Sequence, residues 1–136
     1  MYTYNDICMS SKKDDKKLES ETQREICDYL ALQGYFFWRS NNVPVYARSG
    51  DGVMRFRKLP KYTPKGLPDI MCLVQGHFVA LEVKREGCKQ TPEQVLMQLD
   101  IENNFGYYYT VYGVEDIKKL DFFNGELHTT NNNKIN

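Results

Sequence analysis

Residues 69–84, DIMCLVQGHFVALEVK, constrain the fold more than any other stretch of the chain. Two apolar runs, 69–74 and 77–84, are separated only by Gln75-Gly76. Runs of this length and composition read as strands, and a two-residue connection containing glycine reads as a hairpin turn. That turn pairs Val74 with His77, Met71 with Ala80 and Asp69 with Glu82. Directly opposed residues carry their Cβ atoms roughly 4.5–5.5 Å apart. Strand alternation then sets Lys84 on the face of Glu82, two positions along. A slip of one residue would destroy the matching of faces. The turn therefore gathers two carboxylates and an ammonium at one end of a hairpin.

Two carboxylates at this spacing repel, and burial adds a desolvation cost. Lys84 offsets part of it, and a divalent cation would offset more. Oxygen ligands suit magnesium or manganese, which keep several waters and also bind phosphate oxygens. Such a metal acidifies water and stabilises charge growing on phosphorus oxygens, with Lys84 placed to orient the water or help deprotonate it. This is chemistry for hydrolysing a phosphodiester. An acid-x-Lys triplet alone carries little weight, since Asp14-x-Lys16, Asp15-x-Lys17 and Asp116-x-Lys118 also occur. Only Glu82-Val83-Lys84 closes an apolar strand and faces a Pro-Asp across a hairpin. Residue types alone leave two readings open: a catalytic metal site, or an exposed strand end.

The length of 136 residues fits one domain with one core. No run approaches the ~18 apolar residues of a membrane span, and the polar N-terminus lacks the apolar centre of a signal peptide. The expectation is a cytoplasmic protein, or one of the host-cell cytoplasm if viral, with no membrane partner. Cys8, Cys27, Cys72 and Cys88 are scattered and read as reduced thiols rather than zinc ligands. The net charge of zero hides a local imbalance. Seven basic residues (Arg39, Arg48, Arg55, Arg57, Lys58, Lys61, Lys65) fall between 39 and 65 with one acid, Asp51. Such clustering suits contacts with nucleic-acid phosphates, against the alternative of a solvated loop.

Residues 1–17 end in a charge run and read as a mobile segment. From 18 to 33 the pattern is helical, with Thr22, Ile26, Tyr29, Leu30 and Gln33 on one face and Gly34 as terminator. YFFWR (35–39) reads as a buried strand, and Trp38, Tyr46 and Phe56 read as core. VYAR (45–48) and VMRFR (53–57) read as a small hairpin around Ser49–Gly52. Thr91-Pro92-Glu93-Gln94 opens a helix to about 104, with Val95, Leu96 and Leu99 expected inward. YYYTVY (107–112) is a strand and VEDIKKL (114–120) a short helix. His77 reads as an exposed turn residue. The low-complexity residues 123–136 read as a disordered tail beyond a domain spanning 18–122. The order predicts an α/β domain with a mixed sheet flanked by helices.

Taken together, Gly66-x-Pro68-Asp69, Glu82-Val83-Lys84, Gly87 and Thr91-Pro92-x-Gln94 resemble the PD-(D/E)xK nuclease superfamily. More narrowly they resemble its VRR-NUC family, including small stand-alone members from phages and other viruses. The similarity runs from about 18 to 120, and the entry ESETQ…YL…GY…WR.NN (19–42) matches as well. The resemblance implies a restriction-endonuclease-like fold and magnesium-dependent cleavage of DNA, with manganese as a substitute. It implies that Asp69, Glu82 and the Val83 carbonyl bind metal, that Lys84 serves the water, and that Gln94 lies beside the site. Capping of the helix alone would also account for Gln94.

The family completes its metal site with a glutamate on the first helix, where Glu19, Glu21 and Glu25 stand. Taking Ile26 as inward, Glu19 lies about 20° away, Glu25 about 100° and Glu21 about 140° at 100° per residue. Glu19 is favoured, with Glu21 as the alternative, and an acid there also suits the helix N-terminus. The expected function is a metal-dependent DNA endonuclease, structure-directed toward branched or four-way (Holliday) junctions and acting as a homodimer or higher homo-oligomer. The alternative is a non-catalytic nucleic-acid-binding module that kept the fold. A restriction-type enzyme with base-specific readout would need recognition elements absent from the 40–65 stretch.

Overall fold

The structure is a computed structural model that describes residues 17–40, 45–57 and 60–124, with only the backbone described at 45–47, 56 and 57. The segments expected to be mobile or disordered, 1–16 and 125–136, lie outside the described residues, as does Lys58. The chain runs α1 (Glu19–Leu32), β1 (Phe36–Arg39), β2 (Val45–Arg48), β3 (Met54–Arg57), β4 (Ile70–Val74), β5 (His77–Val83), α2 (Pro92–Asn103), β6 (Tyr107–Val111) and α3 (Val114–Lys119). A 3₁₀ turn follows at Asp121–Phe123. It is a mixed α/β protein in which β1-β4-β5-β6 form a four-stranded sheet and β2-β3 a separate hairpin. The order of elements is the one the sequence predicts.

The central hairpin takes the expected register, with Val74 opposite His77, Met71 opposite Ala80 and Ile70 opposite Leu81. Its turn holds Gln75 at φ 50° and Gly76 at φ 83°. Two consecutive left-handed residues are the twist-matched solution for a two-residue hairpin. β6 joins β5 in parallel, setting Tyr108 beside Ala80, Thr110 beside Glu82 and Val111 beside Val83. Parallel pairing needs a crossover, and α2 supplies it.

One sheet face carries the core. Ile70, Cys72, Val74, Val79, Leu81, Val83 and Val111 pack there against Ile26 and Leu30 of α1, Ile117 of α3 and Phe123. Each fully buried Ile or Leu side chain contributes about 1.5–3 kcal/mol. α1 ends in a Schellman turn, with Gly34 at φ 79° and bonds from Tyr35 N to Leu30 O and Gly34 N to Ala31 O. Tyr35 meets Phe123 edge-on at 4.9 Å, so the packed domain reaches Phe123. Cys27, Cys72 and Cys88 are thiols, Cys72 and Cys88 being buried.

Two expectations about burial need correction. β1 is an edge strand and mostly exposed: Phe36 keeps 66% and Trp38 41% of its surface. These two residues point away from the α1 side, toward a face that β1 shares with Leu73, Met71 and Phe78. Trp38 is therefore not core, and the side chains of Tyr46 and Phe56 lie outside the described residues. On α2, Val95, Leu96 and Leu99 are exposed rather than inward. Apolar spacing reports which residues share a helix face, not whether another layer covers that face.

Candidate active site

Glu82 and Lys84 are buried on an otherwise apolar strand pair, Glu82 at 2% exposure. The Lys84 ammonium lies 3.5 Å from Glu82 Oε1. The same oxygen accepts a 2.5 Å hydrogen bond from Gln94 Nε2. Glu82 Oε2 is buried and has no hydrogen-bond partner. Asp69, just before β4, accepts a 2.8 Å bond from the Val83 amide at Oδ2. Its backbone is held from the residue after β1, where Ser40 N donates to Asp69 O (3.1 Å) and Ser40 Oγ to Pro68 O (2.6 Å).

Gln94 fulfils both of its readings at once. Thr91 and Gln94 form a capping box, in which Gln94 Oε1 accepts from Thr91 N at 2.9 Å and Thr91 Oγ1 accepts from Gln94 N. An amide has an acceptor and a donor end, so its Nε2 remains to serve Glu82. Gly66 ties the two motif segments together. A Cβ on Gly66 would lie 2.6 Å from the Glu93 carbonyl carbon and 2.9 Å from Gln94 N, and Gly66 has φ 73°. The bare backbone of Gly66 thus seats the Gly-x-Pro-Asp segment against the first turn of α2.

Glu19 is the helix glutamate that reaches this end of the sheet. Its Oε1 accepts from Arg85 N at 3.4 Å, and its charge is felt by Asp69. Glu21 is exposed, and Glu25 pairs with Lys17. Of the three, the glutamate that the helical angles favour is the one that meets the Arg85 amide and is felt by Asp69.

Burial dominates the electrostatics. It raises the Asp69 carboxyl, with Glu19 adding to the rise and the Val83 amide and Lys84 opposing it. Glu82 is pushed up to about 8, first by burial and then by the negative charge of Asp69, with Lys84 pulling the other way. Acids shifted this way, in a cluster with a lysine, are characteristic of functional sites. A buried ion pair at 3.5 Å is poor structural cement, because desolvating two charges costs more than so long a contact returns.

Tyr108 was not singled out by sequence reasoning. It is buried on β6, its Oη has no hydrogen-bond partner, and burial and then the charge of Glu82 raise its phenol. Period-two alternation in YYYTVY, combined with parallel pairing to the Glu82 strand, would have pointed to it. Two buried oxygens lacking partners, Glu82 Oε2 and Tyr108 Oη, lie in this region. Carboxylate oxygens are donors of the kind that suits magnesium or manganese. Among the described residues, however, no three His, Cys, Asp or Glu side chains stand close enough to hold a metal together in this arrangement. Asp69 and Glu82 instead direct one oxygen each to Val83 and Gln94.

The basic residues are less uniformly available than their sequence clustering implies. Arg55 pairs with Asp51 at 2.7 Å, so the single acid of the stretch neutralises one of its cations. Arg39 bonds to Gln23 of α1. Arg48, Lys61 and Lys65 are exposed, Lys61 lying 5.0 Å over the Tyr62 ring. The side chains of Arg57 and Lys58 lie outside the described residues. His77 is exposed as expected and contacts Tyr107 and Phe122.

Comparison of the chain with protein-family models, curated proteins and solved structures finds no match. Among the described residues no helix is long and apolar enough to cross a membrane.

Proposed function

We propose that this chain is a metal-dependent DNA endonuclease with a restriction-endonuclease-like fold. The observation that carries the reading is Glu82: a buried carboxylate with one oxygen unpartnered, set among Asp69, Lys84 and Gln94. Nothing in fold stability calls for an acid there. Asp69, Glu82, Glu19 and the Val83 carbonyl would hold magnesium or manganese, which supplies positive charge to the phosphate and a more acidic water. Val83 N–H fixes Asp69, and Gln94 Nε2 fixes Glu82. Lys84 holds the attacking water and assists removal of its proton. Attack in line would form the new P–O bond and break the bond to the 3′ oxygen, with the attacking water's proton passed to solvent and solvent water protonating the leaving oxygen. The ends produced carry 5′ phosphate and 3′ hydroxyl.

Arg39, Arg48, Arg55, Arg57, Lys58, Lys61 and Lys65 contact DNA phosphates in this reading, Lys65 leading toward Asp69. A minimal chain working as a homodimer sets two sites against two strands, which directs it to branched or four-way junction DNA in the cytoplasm, that of a host cell if viral. The test is incubation with linear, flapped, forked and four-way DNA in magnesium or manganese, beside Glu82→Ala and Lys84→Ala. Variants that cut as well as the parent sink the site assignment. One second reading, a non-catalytic nucleic-acid-binding module, is favoured by the way Asp69 and Glu82 each direct an oxygen to Val83 N and Gln94 Nε2. That reading requires DNA binding that persists in EDTA and no cleavage in any divalent metal.

A further inference from the structure

Phe36, Trp38 and Phe78 form a row of rings on the sheet face opposite the core. Phe36 and Trp38 lie 5.7 Å apart and tilted, and Trp38 and Phe78 lie 6.5 Å apart. The row is on the same face as the candidate active site. Trp38 is the cross-strand partner of Met71, and Met71 of Ala80, while Glu82 follows Ala80 by two residues. From strand spacing and rise, the backbone at Trp38 is about 12 Å from that at Glu82, a span of a few nucleotides. Beside Phe78 opens a groove of about 370 Å³, lined by Phe78, Asp100, Ile101, Asn104 and Gly106. The Asp100 carboxylate there can accept from a base edge, while the Asn104 amide donates to Asp100 O. Phe36 and Trp38 belong to the edge strand β1 and Phe78 to the interior strand β5, and no further strand covers the β1 edge among the described residues.

We propose that Phe36, Trp38 and Phe78 form a stacking platform for the unpaired bases of a single-stranded segment running into the site. Paired bases keep their faces inside the duplex, so the exposed rings of Phe36 and Trp38, continued by half-buried Phe78, select unpaired nucleotides. The composition argues for bases over a generic apolar partner, since two of the most exposed side chains on the strand are aromatic and alternate on one face. The proposal rests on the nucleic-acid reading of the neighbouring site and narrows its substrate to DNA with a single-stranded arm.

Trp38 is the only tryptophan in the chain, so its emission reports on the platform directly. The full chain titrated with oligothymidylate in EDTA should show saturable quenching, and a blunt duplex should quench little. Trp38→Ala and Phe36→Ala should each weaken binding of labelled oligothymidylate about tenfold, as loss of one stacked base does, while Trp38→Phe keeps most of it. Two outcomes overturn the platform: oligothymidylate that binds without quenching, or Trp38→Ala and Phe36→Ala binding like the parent. A dimer formed without DNA and dissolved by Trp38→Ala assigns the face to a second copy and also overturns it. Quenching without cleavage in any metal keeps the platform and removes the nuclease, whereas cleavage without quenching does the reverse.

Discussion

Glu82 is costly where it stands, and its neighbours show how the fold tolerates it. One oxygen takes the Gln94 amide and lies near Lys84, while the other takes nothing. Gln94 is a double agent, and its two roles separate by substitution. Thr91→Ala removes half of the capping box and should cost about 1 kcal/mol in stability, read by denaturant unfolding, with cleavage little changed. Gln94→Glu keeps an acceptor for Thr91 N but loses the donor to Glu82, so cleavage should fall tenfold or more. Equal losses of activity in the two variants would reduce Gln94 to a cap.

The raised carboxyl of Glu82 also has a consequence for pH. Its folded-state value of about 8 exceeds the ordinary 4.5, so between the two the folded chain holds a proton that the unfolded chain has released. Stability of the metal-free chain should therefore be greatest below about pH 4.5 as far as this group is concerned, and decline as pH rises to about 8. Thermal midpoints in EDTA across that range measure it. Glu82→Gln, which cannot ionise, should flatten the slope, and a parent already flat would count against a buried acid at this position.

At the level of elements, the site depends on a contact without a side chain. Gly66 lets the segment before β4 touch the first turn of α2, which brings Gln94 to Glu82. Gly66→Ala adds a Cβ 2.6 Å from the Glu93 backbone at a φ of 73°. It should destabilise by more than the ~1–2 kcal/mol of left-handed backbone strain alone, because the clash is with backbone. Cleavage should fall with it, and a variant with parental stability would show that the two segments do not need each other.

The elements also show what the sequence can and cannot reveal. The register around Gln75-Gly76, the capping box at Thr91 and the choice of Glu19 follow from local geometry, and local geometry is legible in one dimension. The exposure of Trp38, Val95, Leu96 and Leu99 was not legible, because a face becomes core only when another layer covers it. That layer is a tertiary matter. Tyr108 was missed for the same reason, since its neighbour Glu82 is 26 residues away in sequence and adjacent only through parallel pairing. The pairing of Arg55 with Asp51 was hidden inside a count of charges.

At the scale of the molecule, the sheet divides two tasks. One face packs α1, α3 and Phe123 into a core, and the other carries buried Glu82 and half-buried Asp69 at one end and the rings of Phe36, Trp38 and Phe78 toward the other. Stability comes from the first face, and the proposed chemistry would come from the second. Metal binding should link them: at pH 8, magnesium at a hundred times its dissociation constant should stabilise the chain by about 2.7 kcal/mol, raising the thermal midpoint by several degrees. Glu82→Gln should abolish that rise, and a midpoint indifferent to magnesium in the parent would leave no metal for the acids to hold.

The central claim is that Asp69, Glu82 and Lys84 cut DNA, and one assay meets it directly. Labelled four-way, forked and flapped DNA are incubated with the chain in magnesium or manganese, beside Glu82→Ala, Lys84→Ala and an EDTA control. The account predicts nicked products with 5′ phosphate ends from the parent, at least a hundredfold loss in both variants, and none in EDTA. Intact DNA in every metal, or products undiminished by the two substitutions, would contradict it.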